Sequence, residues 1–133
     1  MIAVVAGTPN YVLMAGNRHI GPKVVPLLTG TECLPIYGFS DKGPYDKFCA
    51  NSPLALTPYP LVKGYLQRQT ENRGEGLKLV VLDAVGPREL LLYAATMQAV
   101  LEAQEHRTPH VTVTHQLTFD READAYRVEE ASA

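Results

Sequence analysis

The chain holds only two cysteines among its 133 residues, Cys33 and Cys49. Two are too few for a disulfide framework, and their spacing fits no zinc pattern. A bridge-stapled or zinc-stapled fold is therefore set aside, and a reducing compartment is expected. Long apolar runs are missing too. No stretch approaches the roughly 20 residues a bilayer helix needs. The opening MIAVVAGTPNYVLMAG has no basic segment before its apolar part, and Gly7, Pro9 and Asn10 interrupt it, which argues against a secretory leader. Charge of one sign is also lacking: 12 Lys and Arg stand against 14 Asp and Glu, a net charge of −2. A nucleic-acid binder needs a basic face, whereas Lys63, Arg68, Arg73 and Lys78 are spread over a helix end and a loop and read as a solvated face. Neither GxGxxG nor GxxxxGK[ST] occurs, so the specific nucleotide fingerprints are absent. The expectation is a soluble cytoplasmic protein with no cofactor, no metal, no nucleic-acid partner and no membrane partner.

What is present is ordinary globular composition, 46% apolar and 20% charged. The length suits one domain that buries roughly two thirds of its unfolded surface. Residues 2–6 (IAVVA) are apolar on both faces, as an interior strand requires. After the break at 7–10, Tyr11–Ala15 reads as the second arm of a hairpin, with a short Thr8-capped helix as the alternative. Residues 23–28 and 32–37 look like short strands, demoted to edges by Pro26 and Pro35. Residues 39–57 are irregular and carry Tyr45, Phe48 and Cys49, so a long surface loop is expected. Thr57-Pro58 has the chemistry of a helix start, and Val62, Tyr65, Leu66 and Gln69 recur at helical spacing.

The clearest pattern is LKLVVLD, then AVGP, then a helical run over 87–106, then a strand over 111–119. Together these predict one central βαβ unit, and the expected fold is a single α/β domain with a mixed sheet, one long and one shorter helix and a C-terminal hairpin. Residues 129–133 are expected to form a frayed tail. The long helix carries an apolar surface too wide for one stripe, which suits contact with a second copy and hence a homo-oligomer.

In open α/β sheets, ligands bind beyond the carboxyl ends of parallel strands. If residues 2–6 and Leu77–Leu82 lie side by side, Thr8 and Asn10 face Asp83 and Gly86 across a crevice. A helix starting near 87 then adds its N-terminus, with Arg88 in the first turn, and the set suits a small anion or nucleotide. Arg18, His19 and Cys49 lie on loops that could reach the same crevice. His106, His110 and His115 are close in sequence, but Pro109 and the odd spacing of the last two keep them from converging on a metal. Three functions follow in order: a small-ligand binding or regulatory module, a homo-oligomeric scaffold, and a small enzyme using the same crevice.

Overall fold

The computed structural model describes residues 5–15, 18–25, 32–51, 57–71, 76–86 and 89–130. Its elements run β1 (Val5–Gly7), β2 (Tyr11–Ala15), β3 (Arg18–His19), β4 (Cys33–Phe39), α1 (Lys42–Ala50), β5 (Thr57–Pro60), α2 (Lys63–Glu71), β6 (Leu77–Leu82), β7 (Leu91–Thr96), α3 (Met97–Glu105), β8 (His110–Thr112), β9 (His115–Asp120) and β10 (Ala125–Glu130). The fold is mixed α/β with a core built mostly of sheet. The large sheet has the order β10-β9-β7-β6-β4-β2-β3, with β5 on the other side of β2, and β1 pairs with β8 in a separate ribbon. Among the described strands of the large sheet, β4 and β6 pair in parallel and the other ladders are antiparallel; a single parallel bridge joins Val24 to Tyr126 of β10.

The sheet curls on itself. The Tyr37 amide donates to the Ile20 carbonyl (2.9 Å), which places residue 20 beside β4. Three residues on, the Tyr126 amide donates to the Lys23 carbonyl and the Val25 amide to the Tyr126 carbonyl (both 2.9 Å), which places the same segment beside β10. Three residues reach at most about 11 Å, whereas five flat strands would hold β4 and β10 roughly 19 Å apart. Residues 20–25 are thus the sixth stave of a barrel completed by β4, β6, β7, β9 and β10. At the seam, a Cβ on Gly21 would overlap the Pro35 carbonyl, so only glycine lets the two backbones meet.

Strand alternation sends side chains to two cores. Tyr37, Leu79, Val81, Leu92, Ala94, Leu117 and Tyr126 fill the barrel, and Tyr45 and Phe48 of α1 join them. On the outside, Ile36, Val80, Leu82 and Ala95 pack with Leu66 of α2, Val100 and Leu101 of α3, and Val111 beside them. Leu79, Val80, Val81 and Leu82 of β6 are therefore covered on both sides, which explains the apolar run that ends that strand.

Several expectations are corrected. Leu77–Leu82 is followed by a returning strand, β7, so the expected βαβ unit and the helix over 87–106 give way to a strand and a nine-residue helix, α3. Residues 91–95 have good helix formers, but Leu92 and Ala94 are claimed by the barrel interior and Ala95 by the outer core, and this tertiary demand outweighs propensity. Thr96 then caps α3, accepting a hydrogen bond from the Ala99 amide (3.1 Å). The parallel unit lies earlier, β4 to β6 through α1, β5 and α2. The expected single strand over 111–119 splits into β8 and β9, which belong to different sheets.

The expected loop over 39–57 contains α1, whose cap Asp41 accepts from the Lys42 amide (2.8 Å). Thr57-Pro58 opens a strand rather than a helix. There the Leu61 amide points to β2, donating to the Asn10 carbonyl (2.8 Å), so the backbone nitrogens at the alternate positions 58 and 60 face away from β2, where no donor is needed. The same parity explains why Pro35 sits inside the sheet instead of at its edge: its nitrogen lies on the Ile20 side with that of Tyr37, away from the β6 ladder. Tyr11–Ala15 is a strand, as expected, but not the second arm of a hairpin with β1: it pairs with β3, β4 and β5, while β1 pairs with β8. The β9–β10 hairpin forms as expected, and β10 stays paired as far as Glu130.

Candidate functional site

The crevice does not arise from β1 and β6 as neighbours. The edges of β6 are occupied by β4 and β7, and β1 pairs with β8 instead. The two expected lips still approach one another. A Cβ on Gly7 would stand 2.6 Å from Ser40 Cβ and 3.6 Å from Asp83 Oδ2, so glycine is required where β1 crosses the carboxyl ends of β4 and β6.

Asp83 organises that crossing. Its Oδ1 accepts from the Ser40 amide and its Oδ2 from the Ser40 hydroxyl, each at 2.7 Å. Its backbone is left-handed, φ 48°, a conformation aspartate tolerates better than most residues. Both carboxylate oxygens are thereby committed to the turn after β4.

Beside this clasp opens a cleft of about 590 Å³ lined by Thr8, Asn10, Ser40, Leu61, Lys63, Ala103, Gln104, Arg107, Thr108 and Pro109. Its walls are tied across long stretches of chain. The Thr8 hydroxyl donates to the Thr108 carbonyl (2.8 Å), and Asn10 Nδ2 donates to the Ser40 carbonyl (2.9 Å). Gln104 Nε2 bridges the carbonyls of Pro9 (3.3 Å) and Leu61 (3.2 Å). These polar groups brace the cleft from within. Lys63, at the start of α2, and Arg107, just past α3, are exposed, and among the described residues neither forms an ion pair. Among the described residues, no carboxylate lines the cleft.

Arg107 takes a left-handed backbone, φ 54°. It closes α3 in a Schellman motif: its amide donates to the Gln104 carbonyl (3.2 Å), and the Thr108 amide donates to the Ala103 carbonyl (3.0 Å). Glycine is the usual residue at this position.

Of the expected site residues, Thr8 and Asn10 line the cleft, and Asp83 stands behind its Ser40 wall. Gly86 packs elsewhere, against Asn51 at the end of α1. Arg88 lies outside the described residues, and so does the expected helix start at 87. Arg18 is an exposed residue of β3. Cys49 belongs to α1 and packs against the barrel core. His19 lines a second, smaller hollow of about 270 Å³ that shares Leu61 with the cleft. Ser40, Lys63, Gln104 and Arg107 were missed. The helix end around Arg107 was legible, but nothing local in the sequence brings it to residues 8–10. Among the described residues, no three His, Cys, Asp or Glu side chains are grouped to hold a metal. No helix among them is long and apolar enough to cross a membrane.

No family model, curated protein or solved structure matches the chain.

Proposed function

We propose that this protein is a binding or regulatory module for a small anion, held in the cleft between residues 8–10, Ser40, α2 and the end of α3. One observation carries the reading: Lys63 and Arg107 face a cleft that no carboxylate lines among the described residues, while the neutral polar groups around them are already engaged in bracing it. The unspent donors are therefore cationic, and they suit phosphate or carboxylate oxygens. The volume of about 590 Å³ falls in the range of small-ligand sites.

Thermal denaturation with orthophosphate, pyrophosphate and AMP tests this. A ligand at a hundred times its Kd adds about 2.7 kcal/mol, a rise in Tm of roughly 10 °C for a domain of this size. The rise should shrink in Lys63→Ala and in Arg107→Ala. No shift with any of the three anions removes the reading.

The enzyme alternative relied on His19 or Cys49, and neither is among the residues lining this cleft. The homo-oligomer alternative has a different support from the one expected, because α3 buries its apolar side within the chain. On β7 and just before it, Leu90 (58% exposed), Leu91 (41%) and Tyr93 (38%) stand in solvent and offer a face for a second copy. A monomer by light scattering at high concentration removes that reading. The unbonded cysteines suit a cytoplasmic setting, with burial pushing the Cys33 thiol up to about 11 and keeping it unreactive.

A further inference from the structure

We infer that the hollow beside the cleft is a stacking subsite for a planar ring, so that the two together take a nucleotide, phosphate in the cleft and base in the hollow. This deepens the anion reading and rests on it. The hollow follows from strand register. On β2, Val12 and Met14 point to the same face. Tyr59 of β5 lies opposite Val12, and His19 of β3 lies opposite Met14. The helix α2 closes the far side with Tyr65, whose ring stacks on His19 with centroids 4.3 Å apart and planes 23° from parallel. Arg68, a turn further along α2, completes the wall.

Three features point to a ring as occupant. The volume, about 270 Å³, lies just under the range of whole small-ligand sites, so it suits one ring system attached to something held elsewhere. Tyr59 is 48% exposed although it lines a concavity, which leaves aromatic surface open to a partner. A guanidinium beside aromatic rings is the combination that stacks nucleobases in sequence-tolerant sites. Burial also keeps the His19 imidazole below its ordinary pKa, hence neutral and suited to stacking near pH 7.

The two sites are joined. Leu61 forms part of both linings, and Lys63, on the cleft side, follows Val62, on the hollow side. A ligand with charge at one end and a flat ring at the other can pass over Leu61 and meet both. A nucleoside monophosphate has that shape.

Calorimetric titration of the full chain with orthophosphate, AMP and adenosine tests the inference. AMP should bind at least about tenfold more tightly than orthophosphate, the gain expected from one stacked base. Tyr59→Ala should erase that gain and leave orthophosphate binding unchanged, whereas Tyr59→Phe should keep it. Tyr59 is exposed enough that neither change threatens the fold. If AMP binds no better than orthophosphate, or if Tyr59→Ala leaves AMP binding intact while Lys63→Ala weakens it, the stacking subsite is wrong and the anion reading stands. If neither orthophosphate nor AMP binds, both fall.

Discussion

Arg107 sets two demands against each other. The left-handed backbone it adopts costs a side-chain-bearing residue roughly 1 kcal/mol relative to glycine. A guanidinium at the C-terminal end of α3 recovers part of this by opposing the helix dipole, but a lysine or arginine one turn earlier would do so without strain. Arg107→Gly should therefore leave the protein as stable or about 1 kcal/mol more stable in urea titrations, while weakening orthophosphate binding. A loss of stability of similar size would mean that Arg107 serves the helix end and not the cleft. This balance was half legible. Arg107 reads as a helix end from Thr108-Pro109 alone, and residues 7–10 read as a break that could face a ligand. The contact between them depends on the Thr8–Thr108 hydrogen bond, made across almost the whole chain, and no local pattern encodes it.

Elements were legible where one environment acted on a whole segment, and illegible where two competed. Leu79, Val80, Val81 and Leu82 are dry on both faces because both cores claim them, and their unbroken apolar run says so directly. Residues 91–105 carry a continuous helical periodicity, yet the first six complete the barrel and only the rest form α3. The cap Thr96 was the one local sign of the join. Likewise Asp41 before Tyr45, Phe48 and Cys49, at helical spacing, was a sign of α1 hidden by glycine and proline. The sixth stave is the element most exposed to a single change. Its approach to β4 rests on Gly21, so Gly21→Ala should force the seam apart and cost about 3 kcal/mol, the upper range for overpacking. Urea denaturation measures the loss. Hydrogen exchange should then accelerate at the Tyr37 and Tyr126 amides, which the stave binds. Unchanged exchange at both would mean that the barrel does not close through residues 20–25.

At the scale of the whole molecule, the barrel and its outer helices half-bury two imidazoles at separate places, and this gives stability a definite dependence on pH. Burial lowers the pKa of His19, in the hollow under α2. It also lowers that of His115, although Glu130 on the neighbouring strand pulls the other way. The Nδ1 of His115 lies 2.9 Å from the Thr114 hydroxyl, a partner the neutral ring can keep. A folded pKa below the unfolded value of 6.5 means that, between the two, the unfolded chain holds more protons. Stability is then fully present above 6.5 and is lost as pH falls from there through the folded values. Asp120 acts in a separate and lower window. Hydrogen bonds led by that from Arg127 lower its pKa beneath 3.8, so its contribution persists until strong acid. Urea midpoints measured from about pH 8 down to about pH 5 should therefore fall on the acid side, where His titrates and carboxylates have yet to. Replacing His19 and His115 by glutamine should flatten that slope. A flat profile in the unaltered protein would mean that folding leaves both imidazoles as well hydrated as in the unfolded chain, and that α2 does not shield His19 from water.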